Sequence, residues 1–180
     1  MKATFSRRLL IVVALAFLGA GCGSVFDNRP QPSCPPVFVL QDAGSVTRYK
    51  PGSGRDITDV LFQGKIVDFV GACDYNDART EVRIDLNLAF DLARGPANRD
   101  RKAAFQYFVA IPKFYPTPQG RSTFSIVAQF AGQDTRTRAS DEIQLVIPLD
   151  PKVSRDAYAI YLGFQLTAAE LEDNRRITKF

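Results

Sequence analysis

The chain has 180 residues, 23 Lys or Arg against 19 Asp or Glu, three cysteines and no histidine. That length fits one domain with a sizeable core. The missing histidine excludes Ser-His-Asp and Cys-His catalysis as usually built and removes the commonest zinc and haem ligand.

The first element is a targeting segment over residues 1–21. Arg7-Arg8 precede the apolar run Leu9 to Leu18, and Gly19-Ala20-Gly21 lead into Cys22. A run of about a dozen residues is too short for the roughly 20 that span a bilayer as a helix. The segment is therefore expected to be removed, leaving Cys22 as the acylated first residue; a plain secretory cut in the same region and an uncleaved anchor are the alternatives. The Gly-Ala-Gly-Cys motif resembles bacterial lipoprotein signals, with Ala20 and Gly21 matching and the leucine one place early at Leu18. Gly23 follows Cys22 where many inner-membrane lipoproteins carry Asp, so the resemblance implies the periplasmic face of the outer membrane. Lys2, Arg7 and Arg8 leave with the segment, so the mature chain is close to neutral and nucleic acid loses its main support as a partner.

Residues 22–33 are polar, carry two prolines and lack periodicity, as suits a tether. With Cys22 taken by lipid, Cys34 and Cys73 remain as a pair for a disulfide in an oxidising compartment. Closing that loop of about 40 residues is worth about 4 kcal/mol in the chain-entropy model. A redox pair would want a Cys-x-x-Cys spacing, which is lacking.

From residue 34 to 180 the sequence alternates with period two, the mark of half-buried strands. Short candidates lie at 37–41 and 46–49. The stretch 59–75 changes parity, and a bulge near Gly64-Lys65 reconciles its halves. Val82, Ile84, Leu86, Leu88, Phe90 and Leu92 then alternate with polar residues that include Asp85 and Asp91. Further strands centre on Phe105 to Ile111, Phe124 to Phe130, Ile143 to Leu149 and Tyr158 to Leu166. Asn76-Asp77, Gly95-Pro96, Pro116 to Gly120, Gly132 to Asp134 and Asp150-Pro151 supply turns. Thr167 to Glu170 forms a capping box that opens a short helix over 168–176, with Leu171 folding back on the sheet. About eight strands without an intervening long helix make an all-β antiparallel sandwich, immunoglobulin-like in outline, with a closed barrel as the other solution.

The loop Arg94 to Lys102 carries Arg94, Arg99, Arg101 and Lys102 against one acid, and is the expected contact surface for lipid phosphates or an acidic partner. Asp134 to Glu142 is expected to be an exposed hairpin end. Asp85 and Asp91 fall on a solvated face, which removes the burial that acid/base work needs. No Ser-x-x-Lys, phosphate-cradling glycine loop or calcium spacing is present, so no catalytic residue, metal ligand or cofactor is assigned. Phe38, Phe108 and Tyr161 fall opposite the main apolar stripes, either covered by tether or helix or forming a partner surface.

Three segments, Cys34-Pro35-Pro36-Val37, Arg94-Gly95-Pro96 and Gly163-Phe164-Gln165-Leu166-Thr167, resemble a group of small proteobacterial lipoproteins with no assigned function. The resemblance implies a lipid-anchored periplasmic domain and nothing about activity. The expected role is a non-enzymatic binding or scaffolding module for another envelope protein. The alternatives are a carrier of an apolar small molecule and, further off, a carboxylate-based hydrolase.

Cys22→Ser tests the anchor. The variant is expected to leave the membrane fraction or to stop being processed; unchanged fractionation and unchanged size are the contrary result.

Overall fold

The computed structural model describes residues 32–52 and 55–178. The targeting segment 1–21, Cys22 and most of the tether lie outside the described residues. Alternating sequence yields strands β1 (Val37–Val39), β2 (Ser45–Tyr49), β3 (Val60–Tyr75), β4 (Glu81–Arg94), β5 (Lys102–Ala110), β6 (Arg121–Gln129), β7 (Arg136–Pro148) and β8 (Ile160–Phe164), followed by helix α1 (Ala168–Thr178).

They form two four-stranded sheets, in the orders β1-β8-β5-β6 and β2-β3-β4-β7. Every pairing is antiparallel except β1 with β8. The sheets pack on one another as the two-layer sandwich the alternation predicts, each with its own edge strands and not closed into a barrel.

The core sits between the layers and is organised by β4. Val82, Ile84, Leu86, Leu88, Phe90 and Leu92 all point inward, and none is more than 2% exposed. The Phe90 ring lies 5.2 Å from Phe105, 5.1 Å from Tyr107 and 5.8 Å from Phe164, so one side chain ties β4 to two strands of the other sheet. Offset and edge-on ring pairs of this kind add about 0.5–1.5 kcal/mol each beyond the area they bury.

Two expectations are corrected. The bulge lies at Val67, where the register steps from Ile66 opposite Phe90 to Asp68 opposite Ala89, not at Gly64-Lys65. Gly64 keeps the inward parity of Val60 and Phe62. A Cβ there would stand 3.0 Å from the Leu92 side chain and 3.2 Å from that of Val46, so the missing side chain makes room for the core. Residues 136–142, expected at an exposed hairpin end, belong to β7 and pair with β4. Their inward positions are Thr137, Ala139 and Asp141, too polar or small to give an apolar stripe.

The capping box forms as expected: the Thr167 amide donates to Glu170 Oε2 at 2.8 Å and the Glu170 amide to Thr167 Oγ1 at 3.3 Å. Glu170 also holds Arg48 at 3.0 Å, and Asn174 Nδ2 donates to the carbonyls of Asp42 and Ser45. These contacts dock the helix on the 3-10 turn at Gln41–Ala43 and on β2.

Cys34 and Cys73 are bonded, with Cα atoms 5.8 Å apart. The bridge ties the segment entering β1 in one sheet to the end of β3 in the other, and Tyr75 Oη donates to the Ser33 carbonyl beside it. Replacing both cysteines by serine is expected to destabilise the domain by about 2–5 kcal/mol. Equal denaturation midpoints for variant and parent under non-reducing conditions would contradict that role.

Candidate binding surface

The outward face of the sheet β2-β3-β4-β7 is set by register. Ser45, Lys65, Asp91 and Arg138 lie in one row across its four strands, and Thr47, Gln63, Ala93 and Arg136 lie in the next. Ala93 contributes only a methyl between Gln63 and Arg136, which leaves depth at that point. These residues line a trough of about 680 Å³ that Asn174 of α1 borders.

Charge within the trough is unevenly matched. Arg138 Nε donates to Asp91 Oδ1 at 2.7 Å. That bond, with help from the charges of Arg138 and Arg136, holds the Asp91 carboxyl below the ordinary carboxylate value. Lys65 and Arg136 form no ion pair among the described residues. Moving along the strands away from the trough, successive rows bring Asp68, Glu142, Asp85 and Asp74 to the same face, with Arg83 the one cation in those rows. The face is therefore basic at one end and acidic at the other.

The loop singled out in the sequence closes the basic end of the sandwich. Arg94 is the last residue of β4, and its amide donates to the Thr135 carbonyl at 2.7 Å. Gly95 passes so close to β3 that a Cβ would meet the Val60 carbonyl oxygen at 2.1 Å. Asn98 is buried at 7% exposure, donating to the Lys102 carbonyl and accepting the Arg101 amide. Arg101 adopts φ 57° and reaches the Gly132 carbonyl with its guanidinium. Arg99 and Lys102 are exposed. Arg94 thus belongs to one sheet and Lys102 to the other. Arg94, Arg99, Arg101 and Lys102 do not line the trough; Arg94 pairs with inward-facing Phe62, the opposite parity from Ala93. Only strand pairing, invisible in the sequence, brings Lys65 together with Arg136 and Arg138.

Asp85 is exposed and accepts a hydrogen bond from Gln144 Nε2. Phe108 is buried: the Arg121 guanidinium lies 4.1 Å from its ring centre, and Gly163 opposite lets Ala43 close over it. Phe38 and Tyr161 stack at 5.6 Å, leaving Phe38 48% exposed.

A polar pair lies between the sheets. Tyr107 Oη donates to Asp141 Oδ2 at 2.7 Å. Burial, then the hydrogen bond and charge of Asp141, push the phenol above its ordinary value, so Tyr107 stays a protonated donor. Among the described residues no group of three or more metal-ligating side chains converges, and no helix is long and apolar enough to cross a membrane. No protein-family model, curated protein or solved structure matches this chain.

A phenol whose pKa is raised on folding contributes stability that is intact below the unfolded value of about 10 and lost as pH rises beyond it. Tyr107→Phe is expected to flatten this alkaline fall between about pH 9 and pH 11. At neutral pH it should cost about 1–2 kcal/mol, because Asp141 loses its donor. Denaturant titrations across that range check both; an unchanged alkaline slope is the contrary outcome.

Proposed function

We propose that the protein is a lipid-anchored module of the cell envelope that binds another envelope component. Cys22 anchors it to the periplasmic face of a membrane, with the outer membrane favoured, and the trough over β2-β3-β4-β7 receives an anionic part of the partner. The observation that carries this reading is the pairing state of the trough's cations: Lys65 and Arg136 stand in adjacent rows without an ion pair among the described residues. Positive charge in excess on a concave face, here Lys65, Arg136 and Arg138 against Asp91 alone, attracts an oppositely charged surface and orients its approach. Arg94, Arg99, Arg101 and Lys102 lie outside the trough and extend the positive field over the end of the sandwich. The interlayer space is filled by aromatic and aliphatic side chains, so binding is assigned to the outer face.

Crosslinking in the native envelope followed by mass spectrometry identifies the partner and the contact. Lys65→Gln with Arg136→Gln is expected to lower partner capture about tenfold, equivalent to about 1.4 kcal/mol, and to leave unfolding unchanged within about 0.5 kcal/mol. Arg99→Gln with Lys102→Gln is expected to have a smaller effect in the same direction. Full capture by both double variants would contradict the proposal.

A further inference from the structure

The sandwich exposes two regular sheet edges, β6 with nine residues and the longer β7 with 13. β1 has three residues and β2 five. The part of β3 that β2 leaves uncovered is broken by the bulge at Val67 and bonded to residue 34 through Cys73. β7 runs for 13 residues beside β4 without a register shift, and no strand pairs with its other side among the described residues. Such an edge is a template for another strand.

The backbone phase of that edge is fixed by the bonds that flank the ladder. The Arg94 amide donates to the Thr135 carbonyl, and the Leu149 amide donates to the Thr80 carbonyl. Odd-numbered residues of β7 therefore turn their backbone groups to β4. Alternation turns those of Arg136, Arg138, Ser140, Glu142, Gln144 and Val146 outward. The Glu142 amide fits this phase, because its acceptor is Asp141 Oδ1 at 3.1 Å and not β4.

We propose that β7 pairs antiparallel with β7 of a second copy of this chain, about a two-fold axis at Ser140. In this register Arg138 stands opposite Glu142 twice, Arg136 opposite Gln144, and the small Ser140 opposite itself, all with outward backbone groups facing one another. The neighbouring registers are worse. An axis at Arg138 or Glu142 sets like charges opposite each other, an axis at Asp141 sets two inward carboxylates opposite, and like charges opposite in a sheet are destabilising. An axis at Ala139 pairs Arg136 with Glu142 but shortens the ladder by about two residues. On the inner face the chosen register puts Ile143 beside Thr137 and Asp141 beside Ala139.

The result is one continuous sheet, β2-β3-β4-β7 followed by its mirror order, with both troughs open on the same face. The Glu142 amide exchanges the Asp141 carboxylate for a carbonyl of the second copy. An edge contact of about nine residues a side is smaller than a standard interface, so the pairing is weak and concentration-dependent.

Ser140→Cys in the full-length chain is the direct test. Paired residues of this kind have Cα atoms about 5.5 Å apart, within the range a disulfide spans. Mild oxidation is expected to link the two substituted positions, seen as a self-linked peptide in an unreduced digest. Val146→Cys is expected not to form such a link. In sedimentation, Glu142→Arg, which leaves the Arg138–Asp91 pair intact, should weaken self-association about tenfold. Arg138→Glu combined with Glu142→Arg should restore it. A monomer throughout the micromolar to millimolar range with no link at position 140 overturns the proposal. So does a dimer indifferent to Glu142→Arg.

Discussion

The strict alternation of β4 is the constraint on which the rest of the structure depends. Six inward side chains from Val82 to Leu92 meet β5 and β8 across the sandwich, while β3 and β7 hydrogen-bond to the two sides of the same strand. A slip of one residue would turn this whole set to solvent and bring Arg83, Asp85, Asn87 and Asp91 into the core. Burying even one unpaired carboxylate costs several kcal/mol, so the register is effectively unique. Once β4 is fixed, the faces of β3 and β7 follow, and with them the rows of charge on the outside.

That coupling explains why the outer face is organised. Asp91, Lys65 and Arg138 are neighbours only because Phe90 and Leu92 are anchored on the opposite side of β4. The interior polar pair behaves differently: Tyr107 and Asp141 satisfy each other in partial burial, where an unmatched group would be costly. An inward carboxylate on an edge strand also discourages indiscriminate strand addition, since many registers would crowd that charge. Selectivity for one register thus comes from Asp141 inside and from Arg138 and Glu142 outside.

The fold was largely legible from the chain itself. Long apolar alternation around Leu86, Tyr107 and Leu162 specified strands and their buried faces, the capping box at Thr167 marked the helix start, and elimination among cysteines paired Cys34 with Cys73. Misplacement occurred where apolar pattern was silent. Gly64 has no side chain to declare its face, so the bulge was displaced from Val67. The inward Thr137, Ala139 and Asp141 hid the first half of β7 as a hairpin end. The trough was illegible for a different reason. Its charged residues come from three strands separated by up to some 70 positions, and only cross-strand register makes them neighbours. The loop Arg94 to Lys102, by contrast, was conspicuous because its charge is contiguous, although its fold is dictated by Gly95 and Asn98.

Residue-resolved amide hydrogen exchange in dilute protein tests this account most directly, because it reads register along each strand. The amides of Leu86, Leu88 and Phe90 are expected to exchange slowest of all. On β7 protection is expected to alternate, slow at Thr137, Ala139 and Ile143 and fast at Arg138, Ser140 and Gln144. Uniform protection along β7, or the opposite phase, would contradict both the register and the charge rows derived from it.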